Sequence, residues 1–181
     1  MVSLVRALEP DGHPGWRLAG DQPAEKPVAA RASMPGVAVD VLTEVVIGRP
    51  CAEVAGFAGD PGNAPQWYAN IKAVQGETPP PLQLGSRVAF VAQFLGRRIA
   101  YTYQVIELEP DRKLVMSTAE GPFPMETTYT WEPAGTHSTL MRLRNRGEPS
   151  GFGKMAAPVM AAAIRRANQK DLTSLKRLME R

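Results

Sequence analysis

A single cysteine, Cys51, leaves this 181-residue chain unable to close an intrachain disulfide or to build a cysteine-rich metal centre. Histidine is almost as scarce, with only His13 and His137. No ligand spacing joins either to Cys51, so zinc, haem and a Ser-His-Asp arrangement are not expected. An excess of one charge is also lacking. The chain has 21 Lys+Arg against 18 Asp+Glu, a net +3, without the dense basic stripe typical of nucleic-acid binders. No glycine-rich loop pairs with a phosphate-binding lysine; the segment 59–62 contains Pro61 instead. No apolar run approaches the roughly 20 residues that span a bilayer. Glu9-Pro10-Asp11-Gly12 breaks the first apolar stretch before a signal-peptide core is complete. These absences predict a cytoplasmic protein with no metal, no nucleotide cofactor and no nucleic-acid partner. Membrane contact, if any, is confined to the surface.

Proline and glycine are plentiful but unevenly spread. The first 36 residues hold Pro10, Pro14, Pro23, Pro27 and Pro35 together with Gly12, Gly15, Gly20 and Gly36. Such a segment, with no helical or strand period, cannot bury enough surface to order itself. Residues 1–36 are therefore expected to form a tail and residues 37–181 the domain. A chain begun at Met34 would contain all of that domain. A hydrophobic fraction of 44% and a charged fraction of 22% are ordinary for a globular protein.

Period-two alternation then marks a series of strands. Val39, Val41, Thr43 and Val45 alternate with Asp40, Leu42, Glu44 and Val46. Gly48-Arg49-Pro50 ends that strand, and Pro50 suits the start of a short helix carrying Val54, Ala55 and Ala58. After the turn at 60–63, Asn63 is placed to cap a second short helix reaching Tyr68. Strands follow at 71–76, 88–94, 99–105, 114–118, 125–132 and 139–144, with a reversal expected at Gly96-Arg97. Short turns force consecutive strands to pair antiparallel. One polar face per strand leaves one side of the sheet in water.

The chain closes on helical periodicity. Met155, Val159, Ala163, Ala167, Asp171, Leu175 and Met179 lie near one line, flanked by Met160, Ile164, Leu172 and Leu178. Pro158 either kinks this helix or marks its start. From residue 151 onward seven basic side chains face two acidic ones. That face either meets an anionic partner or is simply solvated, the cations complementing the helix C-terminus.

The order strand, two short helices, antiparallel meander and long terminal helix resembles the SRPBCC (START-like, polyketide cyclase/dehydrase and lipid transport) superfamily. The matching stretches include Val46-Ile47-Gly48-Arg49-Pro50, Asp60-Pro61-Gly62-Asn63-Ala64-Pro65-Gln66-Trp67, Leu84-Gly85-Ser86-Arg87, Gly121-Pro122-Phe123-Pro124 and Asp171-Leu172-Thr173-Ser174-Leu175-Lys176. The resemblance implies an α+β helix-grip fold. In it, a curved antiparallel sheet of about six to seven strands wraps the C-terminal helix and leaves a cavity. It brings no shared catalytic motif, so function has to come from the site.

The expected pocket is aromatic and methionine-lined. Phe90, Phe94, Tyr101, Tyr103, Met125 and Tyr129 share inward strand faces. Met155, Val159, Met160 and Ala163 come from the long helix, and Trp67, Tyr68 and Phe123 from the mouth. Each is either pocket wall or ordinary core beneath the helix. Trp67 is either a lid contact or a plug between helix and sheet. The resemblance to the cyclases of this superfamily makes Tyr101 and Tyr103 the candidate catalytic residues, as general acids toward a polyketide carbonyl. Cys51, at a helix start, is either a thiol of lowered pKa or a small buried hydrophobe. The resemblance implies three possible functions for such a pocket. The leading one is a carrier or sensor that binds a hydrophobic small molecule, such as a lipid or polyketide. The others are an aromatase/cyclase using the same pocket, and a chaperone-activator-like interaction module with a packed interior.

Overall fold

The computed structural model describes residues 39–121, 124–148 and 157–181. Seven strands form one antiparallel sheet in the order β1-β7-β6-β5-β4-β3-β2. They are β1 (Val39–Ile47), β2 (Ile71–Gly76), β3 (Arg87–Phe94), β4 (Arg97–Glu109), β5 (Lys113–Glu120), β6 (Met125–Pro133) and β7 (Thr139–Gly147). Helices α1 (Cys51–Ala58) and α2 (Ala64–Trp67) follow β1, with a single 3-10 turn at Pro61–Asn63 between them. Helix α3 (Ala157–Met179) ends the fold. The helix-grip arrangement expected from the sequence is the one observed.

Local pairing follows the alternation, and one long-range pairing completes it. β1 pairs along its whole length with β7, Thr43 lying opposite Leu143. The outer face of this seam is a ladder of opposite charges. Arg144 makes two bonds to Asp40, at 2.8 and 2.6 Å. Arg142 pairs with Glu44 on one neighbouring strand and Glu132 on the other. Exposed pairs of this kind contribute little individually, yet they fix which face is wet.

The β3–β4 reversal is centred one residue earlier than expected. Leu95 (φ 48°) and Gly96 (φ 76°) form the two-residue turn, and Phe94 pairs with Arg97. Positive φ at both central positions matches the right-handed twist of a hairpin, and glycine adopts it without penalty. Asn63 does not cap α2 with its side chain. Its Nδ2 donates to the Phe57 carbonyl at 3.1 Å, while Asp60 accepts from the Gly62 amide.

Helix α3 is 23 residues long, about 35 Å at 1.5 Å per residue. Pro158 sits in its first turn, where a missing N–H costs nothing. The far end is tied to the β1–α1 corner: Arg49 Nε donates to Met179 O at 2.7 Å, and the Gly48 amide donates to Glu180 Oε1 at 2.7 Å. Lys176 reaches the Val46 carbonyl at 2.7 Å. Cations at the last turn also favour the helix dipole. The buried face of α3 carries Met160, Asn168, Asp171, Leu172 and Leu175. This face is rotated from the expected line. At about 100° per residue, Met160 lies about 20° from Asp171, whereas Val159 lies about 120° away. Val159 is accordingly 57% exposed.

The main core lies between sheet and helices, with Ile47, Leu114, Met141, Leu143, Leu172 and Leu175 fully buried. Cys51 is only half-buried. Burial still raises its pKa, and its Sγ donates to the Asp111 carbonyl at 3.3 Å. It is neither an activated thiol nor a fully buried hydrophobe. No helix among the described residues is long and apolar enough to cross a membrane.

Candidate functional site

Between the concave sheet face and α3 the side chains do not close on each other. They leave a cavity of about 140 Å³, close to the ~150 Å³ of an apolar protein cavity that holds benzene. Alternation along each strand builds its floor. β3 supplies Phe90 and Ala92, and β4 supplies Ile99, Tyr101 and Tyr103. β5 gives Met116 and Thr118, and β6 gives Met125, Thr127 and Tyr129. Asn145 comes from β7; Tyr68 and Asn70 come from the segment linking α2 to β2, and Ile71 opens β2. The roof is one face of α3: Met160, Ile164, Ala167, Asn168 and Asp171.

The aromatic side chains are packed in order. The Phe90 ring stacks on Tyr101 with centroids 5.4 Å apart and meets Tyr103 edge-on at 5.7 Å. Tyr101 and Tyr103 are 4.9 Å apart. Trp67 is buried behind this wall. It stacks on Tyr68 at 3.9 Å and stands edge-on to Tyr129 at 6.4 Å. It is 2% exposed and is not among the residues that line the cavity, so it serves as a plug in the core.

Two hydrogen-bonded groups and two unpartnered groups make up most of the polar lining. Asn168 Nδ2 donates to Asn145 Oδ1 at 2.7 Å, and Asn145 Nδ2 donates to Thr127 Oγ1 at 2.9 Å. Thr127 Oγ1 in turn shares a 3.0 Å hydrogen bond with the Tyr103 hydroxyl. Separately, the hydroxyls of Tyr68 and Tyr129 lie 2.8 Å apart. The Tyr101 hydroxyl has no hydrogen-bond partner among the described residues. Asp171 accepts from the Ala69 amide through Oδ1 at 2.9 Å, but its Oδ2 is buried without a partner among the described residues.

Burial sets the protonation states here. It pushes Tyr103 up to about 12 and raises Tyr68, Tyr101 and Tyr129 as well. All four phenols are therefore protonated at neutral pH. Burial also pushes the Asp171 carboxyl up to about 6, opposed by the Ala69 hydrogen bond. An acid in that range changes state close to physiological pH.

Of the residues singled out in the sequence, Tyr68, Phe90, Tyr101, Tyr103, Met125, Tyr129 and Met160 line the cavity. Val159 and Ala163 do not, because the helix presents its neighbouring face. The Phe94 side chain, Phe123 and Met155 lie outside the described residues. Sequence reasoning missed Asn145, Asn168 and Asp171. The one available signal was an acid, Asp171, standing on an otherwise apolar helical line. The expected end of the last strand at Arg144 hid Asn145.

A single sheet gripping one long helix over a largely apolar cavity defines the START-like class of ligand-binding folds. The sequence profile described as polyketide cyclase / dehydrase and lipid transport matches residues 38–180, and the chain belongs to that family. The structure is similar to a START superfamily protein from Mycobacterium smegmatis. That match has a TM-score of 0.70 and 16% identity, over 80% of this chain and 98% of that one. It is also similar to the Zhui aromatase/cyclase from Streptomyces sp. R1128, with a TM-score of 0.64 and 18% identity over 78% and 93% of the two chains. The major latex-like protein of Panax ginseng matches with a TM-score of 0.57 and 15% identity over 78% and 94%. At such identities the shared property is the fold. No curated protein sequence matches the chain.

Proposed function

We propose that this protein binds a hydrophobic small molecule, a lipid, polyketide or similar compound, as a carrier or sensor. The observation that carries the reading is the cavity of about 140 Å³ beneath α3. Its walls are mainly apolar and aromatic, and the Tyr101 hydroxyl is left free to orient a guest. Ligand sites elsewhere combine the same two features: much apolar surface and a few placed polar groups. An interaction module with a packed interior would not need this space. Native mass spectrometry of the protein purified from its own host tests the proposal. A co-purifying small molecule supports it; a uniformly bare chain that also takes up no added apolar compound refutes it.

A second reading has its own support. An aromatase/cyclase needs a proton donor and a proton acceptor in one cavity. The Tyr101 phenol and an Asp171 carboxyl near pKa 6 provide that pair. The likeness to an aromatase/cyclase structure is consistent with it. Tyr101→Phe separates the two readings. A carrier keeps its affinity within a few-fold, whereas a cyclase loses turnover by about 100-fold or more.

A further inference from the structure

The lining residues contain four tyrosines, three asparagines and two threonines, but only one acid, Asp171, and no Lys, Arg or His among the described residues. Asp171 is 1% exposed. One of its oxygens is occupied by the Ala69 amide at 2.9 Å, and the other, Oδ2, is buried with no donor among the described residues. A buried carboxylate oxygen in this condition is costly, and a donor on a guest removes the cost. A second negative charge in the same low-dielectric space increases it. The titratable groups facing Asp171 offer no relief. Tyr68, beside α2, and Tyr129, on β6, are phenols kept neutral by burial. Lys170, its neighbour on α3, is exposed to solvent.

Building on the binding role above, we propose that the cavity is made for an uncharged guest bearing a hydroxyl that donates to Asp171, and that it rejects fatty-acid and other carboxylate guests. The apolar floor of Phe90, Met116 and Met125 takes the hydrocarbon body. The Asp171 end takes the hydroxyl. Recognition through a charged acceptor discriminates more strongly than apolar contact, because an analogue without the donor leaves the carboxylate unpaired.

Four one-ring probes, sized to the cavity, test this on the full-length, isotope-labelled protein at pH 8 by two-dimensional NMR titration. They are 4-ethylphenol, its methyl ether 4-ethylanisole, 4-ethylbenzoate and 4-ethylbenzylamine. The phenol is expected to bind at least about tenfold more tightly than the ether and than the carboxylate. In Asp171→Asn the phenol-to-ether ratio should fall below about threefold, and the carboxylate should gain affinity. The wild-type ratios stand on their own if that variant misfolds. A wild-type phenol-to-ether ratio near one, or a carboxylate or ammonium that binds as tightly as the phenol, overturns the inference while the cavity reading survives. Failure of all four probes to bind the folded protein overturns both.

Discussion

Replacing Asp171 with asparagine preserves the size of the side chain and an Oδ1 that can accept from the Ala69 amide; it removes the charge. In the folded protein burial raises this carboxyl from 3.8 to about 6. Below about pH 4 the group is protonated in both folded and unfolded chains, so it contributes no pH dependence. Between about 4 and 6 the folded chain keeps a proton that the unfolded chain releases, and stability falls as pH rises through this window. Above it the deficit is constant. Each pH unit crossed inside the window costs the folded state about 1.4 kcal/mol, so the change from pH 4.5 to 8 comes to about 2 kcal/mol, allowing for some solvent access. The other perturbed acids, Asp40, Glu77, Glu132 and Glu180, have pKa values lowered by partners and push wild-type stability the opposite way. They are common to both proteins and cancel in the difference. Urea unfolding of wild type and Asp171→Asn across this pH range should show the variant gaining about 2 kcal/mol on wild type from pH 4.5 to pH 8. Parallel curves would refute the claim that this carboxyl is buried with an unsatisfied oxygen.

Three further outcomes follow from the packing. Tyr103→Phe strands the Thr127–Asn145–Asn168 chain and should cost about 1 kcal/mol in chemical denaturation, whereas Tyr101→Phe should be close to neutral. Leu175→Ala removes a fully buried side chain where α3 meets the core and should cost about 2–5 kcal/mol. Gly96→Ala forces a side chain onto a residue with φ 76° and should lower stability by about 1–2 kcal/mol, measurable as a fall in Tm.

Much of the fold was legible because strands and helices impose their own periods. The alternation from Val88 to Trp131 reports which side chains face inward, and the floor of the cavity follows from it. Pairing of β1 with β7 was not legible, since no local signal links Thr43 to Leu143, a hundred positions on. The exact facing of α3 was lost for a related reason. Alanines at 161–163 and 167 blur the apolar stripe, so a line through Val159 looks as good as one through Met160 until the sheet selects between them. The polar part of the site was the least legible. Asn145 and Asn168 belong together only because β7 runs on to Gly147 and α3 crosses it. The choice between Tyr101 and Tyr103 also needed coordinates. Both share a face, yet only Tyr103 spends its hydroxyl on a neighbour, Thr127.

Xenon is small, uncharged and indifferent to hydrogen bonding, so it reports open apolar space directly. A crystal of this protein pressurised with xenon should show a bound atom between α3 and the sheet, close to Phe90, Met116 and Ile164. An interior with no xenon there, filled instead by the protein's own side chains, would contradict the account.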